Sequence, residues 1–171
     1  DLKEMQKGPK EAMALVKVGS TLTRRLAAFP LPVIGACSGH AIAKGAFILL
    51  SVDYRIGVEG GFKLGLNEVA IGMTMHHAGI EIARHRMPAP YFYRSVVNAE
   101  IFNPEGAVAA GFLDEAVAPE QLMERAVAVA TQMKQLNLNA HKQTKLKVKG
   151  DYLAQLDRCI EQDAAHFDLM G

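Results

Sequence analysis

The chain has 171 residues, half of them hydrophobic and 22% charged, and its 19 Lys and Arg against 18 Asp and Glu leave a formal net charge of +1. So even a balance offers no field for gripping nucleic acid or an anionic membrane, and no apolar run reaches the roughly 18 residues of a membrane helix. Two cysteines, Cys37 and Cys159, cannot make a disulfide framework and neither sits in a CxxC pair, so a reducing compartment such as the cytoplasm is expected.

In chain order, residues 1–10 are polar and carry Gly8-Pro9, which reads as a mobile opening. Apolar residues then recur at helical spacing from Glu11 to Phe29 (Met13, Leu15, Val16, Val18, Leu22, Leu26), and Pro30 and Pro32 end that helix. Val33 to Cys37 is a short apolar run of the kind found in a buried parallel strand. It breaks at Ser38-Gly39, and Gly45 to Leu50 suits a buried helix. Asp53 to Val58 reads as a strand, Glu59-Gly60-Gly61 as a turn and Phe62 to Leu64 as a further short strand. His76 to Met87 is helical in pattern and is stopped by Pro88 and Pro90. Asn103 with Pro104 is an N-cap followed by proline in the first helical position, and Gly111 ends the helix they open. Leu113 to Val117 is the last strand candidate. Beyond it three helices are expected, Pro119 to about Leu136, Ala140 to Lys149 and Asp151 to about Leu169. Strand and helix alternate up to residue 118, which predicts an α/β class, and the tail from 119 to 171 reads as all-helical.

Three places offer chemistry. Ser38 to Gly45 is a small-residue stretch between a buried strand and a helix, where unpaired backbone N–H groups cradle a phosphate or an oxyanion; an ordinary strand-to-helix turn has the same look. Glu68 lies in Gly65-Leu66-Asn67-Glu68-Val69, an apolar setting that raises a carboxyl pKa as a general base requires; a surface Glu capping the next turn reads the same way. His76-His77 follows Met73-Thr74-Met75. Neighbouring histidines do not share a helix face and no further ligands accompany them, so no metal site is expected. The Lys-rich stretch from His141 to Lys149 reads as a solvated helix face, or as a place to meet the phosphates of a nucleotide-like ligand.

Taken in order, Pro32 to Gly45, Asp53-Tyr54-Arg55-Ile56, Phe62 to Met73 and Asn98 to Val117 resemble the crotonase superfamily, the enoyl-CoA hydratase/isomerase family, over essentially the whole chain. The resemblance implies a crotonase-like spiral of ββα units over residues 1–118, lacking its N-terminal strands, and a helical oligomerisation region over 119–171. It implies that the first oxyanion-hole residue precedes Asp1 and that the second oxyanion N–H is the backbone amide of Lys44, where the family commonly has Gly. Hydratases of the family resemble one another in activating water with two glutamates. The first falls here on Phe47, which can neither accept a proton nor orient water, and the second on Glu68. The Δ3–Δ2 enoyl-CoA isomerases are similar to this chain in carrying an apolar residue at the Phe47 position, with the Glu in Gly65-Leu66-Asn67-Glu68 as single proton shuttle. That pattern favours an isomerase, with a hydratase using Glu68 alone or with His76 or His77 as a substitute partner, other thioester chemistry, or a non-catalytic acyl-CoA-binding module as alternatives. The substrate is then an acyl-CoA or enoyl-CoA thioester with no further cofactor. It would be lined by Ala41, Ile42, Phe47, Asn67, Gly72, Met73 and Met75, with Lys3 and Lys145 on its phosphates. The family assembles as trimers, often paired into hexamers, and the apolar positions at Leu122-Met123-Ala126-Val127-Ala130 and Leu153-Leu156-Ile160 suit either such an interface or packing on the chain's own core.

Overall fold

A computed structural model describes residues 2–168. A short helix, α1 (Leu2–Met5), and a long one, α2 (Pro9–Ala27), open it, so the expected mobile opening is already helical. Pro9 occupies the first turn of α2, where its missing N–H costs nothing. The buried residues of α2 are Ser20, Thr23 and Ala27, while Val18 and Leu22 of the apolar periodicity face solvent. Small residues allow close helix packing, and Thr23 spends its hydroxyl on the Ser20 carbonyl at 2.9 Å, so the polar atom is no burden.

Two three-stranded sheets follow. β1 (Ile34–Cys37), β2 (Ala41–Ile42), α3 (Lys44–Ser51), β3 (Tyr54–Val58) and β4 (Leu64–Gly65) lead to a single 3-10 turn at Val69–Ile71. Then come α4 (His77–Arg86), α5 (Ala89–Val96), β5 (Ile101–Phe102), α6 (Pro104–Ala110) and β6 (Glu115–Val117). One sheet is all parallel with order β1-β3-β6; in the other, β2 pairs parallel with β4 and β4 antiparallel with β5. A second 3-10 turn at Pro119–Gln121 leads into α7 (Leu122–Lys134), α8 (Leu138–Val148) and α9 (Gly150–Asp168). The anticipated end of α9, Leu169, lies outside the described residues.

Sequence patterns placed the long elements well. Asn103 accepts the Gly106 N–H at 2.8 Å and Gly111 closes α6 in the left-handed conformation, as its capping residues predict. Pro88 does stop α4, but Pro90 lies in the first turn of α5, a helix that the pattern of breakers conceals. The helices beyond residue 118 are no appendage in packing terms. Tyr152, Leu153, Leu156 and Cys159 of α9 share the main core with Phe47, Ile82 and Phe112, while Leu122, Ala126 and Val129 of α7 close a smaller core over Ile56 and Val58.

Two ionic centres with buried cations tie the elements together. The Arg55 guanidinium on β3 donates to both Asp114 carboxylate oxygens, at 2.9 and 2.6 Å, and to the Gly111 carbonyl, while the Arg55 N–H reaches Asp114 at 2.8 Å. Asp53 accepts the Val33 N–H at 2.9 Å and the Lys145 ammonium at 2.6 Å, with Lys149 at 3.5 Å. Burial pushes the Asp114 carboxyl up, but the hydrogen bonds and charge of Arg55 outweigh it and the net shift is downward. A carboxyl lowered by folding stabilises the fold above its ordinary range and loses that contribution as pH falls through the folded value. Replacing Asp114→Ala strands a buried guanidinium and should cost about 3–5 kcal/mol. In urea denaturation at neutral pH the midpoint should fall accordingly, and the difference from the unaltered chain should shrink as the solution is acidified.

Candidate active site

The centre of the site is a junction between two strands of two residues each. Ala41 donates to the Lys63 carbonyl at 2.9 Å and Ala43 to the Gly65 carbonyl at 3.0 Å, which fixes the start of α3 beside the turn that carries Glu68. Ala43 holds φ 51° and ψ −114°, a region that costs a non-glycine residue about 1–3 kcal/mol. That bend turns the chain into α3 without a side-chain cap, leaving Lys44 as the first helical residue. Among the described residues no backbone carbonyl takes the Lys44 N–H, so it is free to meet a developing negative charge. Gly65 is required opposite: a Cβ there would lie 2.7 Å from Ile101 Cδ1 and 3.0 Å from the Glu100 carbonyl oxygen of the β5 segment.

Glu68 opens the 3-10 turn that follows β4 and is 7% exposed. Its carbonyl accepts the N–H groups of Ile71 at 3.1 Å and Met73 at 2.9 Å, which tightens the turn around it. One carboxylate oxygen lacks such a partner: Oε2 is buried without a hydrogen bond. Burial raises its pKa, and the turn's backbone N–H and the Lys44 charge recover only part of that shift. A carboxylate so placed takes a proton from carbon more readily than one in water.

Around it lie three further groups. Phe47, one turn into α3, is 1% exposed and offers no group that could bind water. His76 meets the Phe47 ring edge to face at 5.3 Å, with Nε2 buried and unpartnered. Burial, more than any neighbouring charge, pulls the His76 pKa down to about 4, so the ring is neutral at physiological pH. Its position is secured from α9, where Asp163 accepts the N–H groups of His77 at 2.7 Å and Ala78 at 2.9 Å, capping α4 from outside. The Lys44 side chain also turns inward, with Nζ 5.2 Å from the Phe47 ring centroid, a contribution sequence reasoning missed by considering only its amide. The signal was available, since a lone cation begins an otherwise apolar helix, Lys44–Ser51.

The other anticipated lining residues divide. Ala41 is buried and Ile42 half-buried on β2, Asn67 is half-buried with its Oδ1 unpartnered, and Met75 is 7% exposed. Met73 is 42% exposed and Gly72 stands in open space at φ 81°, so in the described chain these two form the outer lip and not the wall. Lys145 departs from expectation. At 8% exposure, and with its ammonium held by Asp53 and the Leu31 carbonyl, it serves the fold and is not presented to a phosphate. Lys3 is exposed on α1. No cluster of metal-ligating side chains occurs among the described residues.

A base of raised proton affinity beside the unpaired N–H of a helix start is suited to moving a proton at a carbon whose negative charge spreads onto oxygen. Comparison with known proteins identifies the family. A sequence model described as enoyl-CoA hydratase/isomerase matches residues 1–170. An enoyl-CoA hydratase/isomerase family protein from Pseudomonas syringae superimposes with a TM-score of 0.96 at 60% identity, over 98% of this chain and 73% of that one. An enoyl-CoA isomerase from Mycobacterium tuberculosis gives 0.90 at 38% identity, over 96% and 72%. The crotonyl-CoA hydratase of Syntrophomonas wolfei is 25% identical over 160 residues, 93% of this chain and 61% of that protein. The chain spans about half the length of the curated relatives it matches, 46% in one case and 61% in another. With the crotonase fold and a family match along nearly its full length, the chain belongs to the enoyl-CoA hydratase/isomerase family.

Proposed function

We propose that the protein is a Δ3–Δ2 enoyl-CoA isomerase in which Glu68 is the single proton shuttle. The observation that carries this reading is the pair Phe47 and Glu68, both buried: a carboxylate with one unpartnered oxygen is accompanied by an aromatic ring at the position where water activation would take a second acid. Glu68 takes a proton from C2 of a 3-enoyl thioester, and the electron pair delocalises over the thioester oxygen as a dienolate. The Lys44 N–H donates a hydrogen bond to that oxygen and so stabilises its charge. The protonated Glu68 then returns its proton at C4, the double bond moves into conjugation and the base is regenerated. Phe47 and Met75 keep the pocket apolar, which stops water adding to the conjugated product. Each donor of such an oxyanion hole is worth about 3–4 kcal/mol of barrier. Mycobacterial neighbours at 38% identity are described both as an isomerase and as hydratases, so the choice rests on Phe47 and Glu68.

A second reading is hydration, and one observation favours it: His76 is neutral, buried and has a free Nε2 beside Phe47. Imidazole at that point holds a water as the missing glutamate would. Assembly as a trimer or hexamer belongs to the same proposal. Its support is α7, which buries Leu122, Ala126 and Val129 inward yet leaves Met123 and Val127 more than half exposed on its outer face.

Two variants separate the readings. Glu68→Gln removes the base while keeping size and hydrogen-bonding capacity. Conversion of a 3-enoyl-CoA should fall by several orders of magnitude, whereas the thermal midpoint should hold or rise, because a carboxylate buried without a partner is an unfavourable group to fold. His76→Ala should leave isomerisation within about tenfold, a change of roughly 1.4 kcal/mol in barrier. A hydratase built on His76 would instead lose its water addition in that variant. The acid limb of the rate profile should lie above the ordinary carboxylate range, since the base must be ionised and burial raises its pKa.

A further inference from the structure

The Lys44 ammonium is a buried cation with no bonded partner. Nζ is inaccessible and makes no hydrogen bond, and its stem lies along α2, where Cε would be 2.8 Å and Nζ 3.1 Å from a Cβ built on Gly19. Only glycine leaves room for the side chain to run there and on toward the face of Phe47. A flexible lysine stem ordinarily snorkels to water, so an inward course with an unpaired head has to be balanced by something the site itself provides. The Ala43–Gly65 hydrogen bond sets that something close by, since Lys44 follows Ala43 and Glu68 lies three residues beyond Gly65.

We propose that Lys44 is a positioning residue for Glu68 through its side chain, the fixed counter-charge of the buried site, in addition to giving its amide to the oxyanion. This rests on the isomerase reading. In that reaction one negative charge travels from the Glu68 carboxylate to the thioester oxygen and back. A single residue then bears on the charge at both ends of its path: Lys44 and Glu68 stand on the two sides of the β2–β4 pairing, and the Lys44 N–H is offered to the oxygen. The net charge of the cluster stays constant through the cycle, which is the condition under which a dry site does not have to reorganise as the reaction proceeds.

Among the described residues, the ammonium interacts electrostatically with Glu68 of the turn after β4 and with His76 at the start of α4, which His77 and the α9 residue Asp163 also influence, while its stem passes the uncharged Gly19 of α2. Burial lowers the Lys44 pKa to about 8, with Glu68 holding it up against a larger drop, and the Lys44 charge in turn lowers Glu68. Lysine therefore stays charged at neutral pH and loses its proton in a mildly alkaline range.

The test is the titration of the Glu68 carboxyl carbon by 13C NMR, beside the pH profile of 3-enoyl-CoA conversion, in the full-length protein. Lys44→Met keeps the amide and removes the charge. The Glu68 midpoint and the acid limb should both move up by about one pH unit, and Lys44→Arg should bring both back. Should the Met variant not fold, Gly19→Ala crowds the stem without removing the charge and should displace the same midpoint. A Glu68 midpoint unchanged in Lys44→Met, or in Gly19→Ala if that variant stands in, overturns the proposal. Absence of isomerase activity with the midpoint still moving would overturn the isomerase reading and leave the electrostatic pairing standing.

Discussion

The site depends on one small pairing, two residues of β2 against two of β4. Through it the Ala43 N–H reaches the Gly65 carbonyl, and everything chemical hangs from the chain on either side. On one side the strained Ala43 starts α3 abruptly and leaves the Lys44 amide unpaired; on the other, Gly65 lets β5 approach and sends the chain into the Glu68 turn. A pairing this short has little strength of its own. It is held from outside by Phe47, Leu64 and Phe102 in the main core, and by α9, which packs over the same core and pins α4 through Asp163. The C-terminal helix thus reaches the active centre through His76 without contributing a reacting group.

Desolvation is the force that organises the centre. Lys44, Glu68 and His76 each present a buried polar atom with no hydrogen bond, an arrangement that would be costly in an ordinary core. The fold accepts it where it is useful: a desolvated carboxylate holds a proton more tightly, a neutral imidazole does not compete for it, and a cation in low dielectric acts strongly on the carboxylate. The contrast is the Arg55–Asp114 centre, where every strong donor is matched and the carboxyl is driven down instead of up. The same residue types serve stability in one place and reactivity in the other, and the difference is whether their hydrogen bonds are closed.

Periodicity, capping and breakers made the long elements legible before any coordinates. They gave α2, β1, β3, α4 and α6 to within a residue or two, and the capping pair Asn103 and Pro104 outright. They missed β2 and β5 because a strand of two residues has no period to read; only tertiary pairing makes it a strand. Pro90 read as a stop because proline marks the first turn of a new helix as readily as the end of an old one. At the site, Glu68 and Phe47 were visible from the motif they stand in. The work of Lys145 was not, because a lysine whose head reaches across to Asp53 looks in sequence like any other lysine on a solvated helix. The inward course of Lys44 depends on Gly19, 25 positions earlier, and no local pattern records that.

The central claim is that a lone carboxylate in a water-excluding site shifts a double bond and does not hydrate it. The most direct measurement gives the full-length protein a 3-enoyl-CoA and, separately, a 2-enoyl-CoA, and follows the ultraviolet absorbance of the conjugated thioester. A rise with the first substrate and a constant signal with the second is the predicted result. Loss of absorbance with the second substrate would mean that water is activated despite Phe47, and would contradict the account.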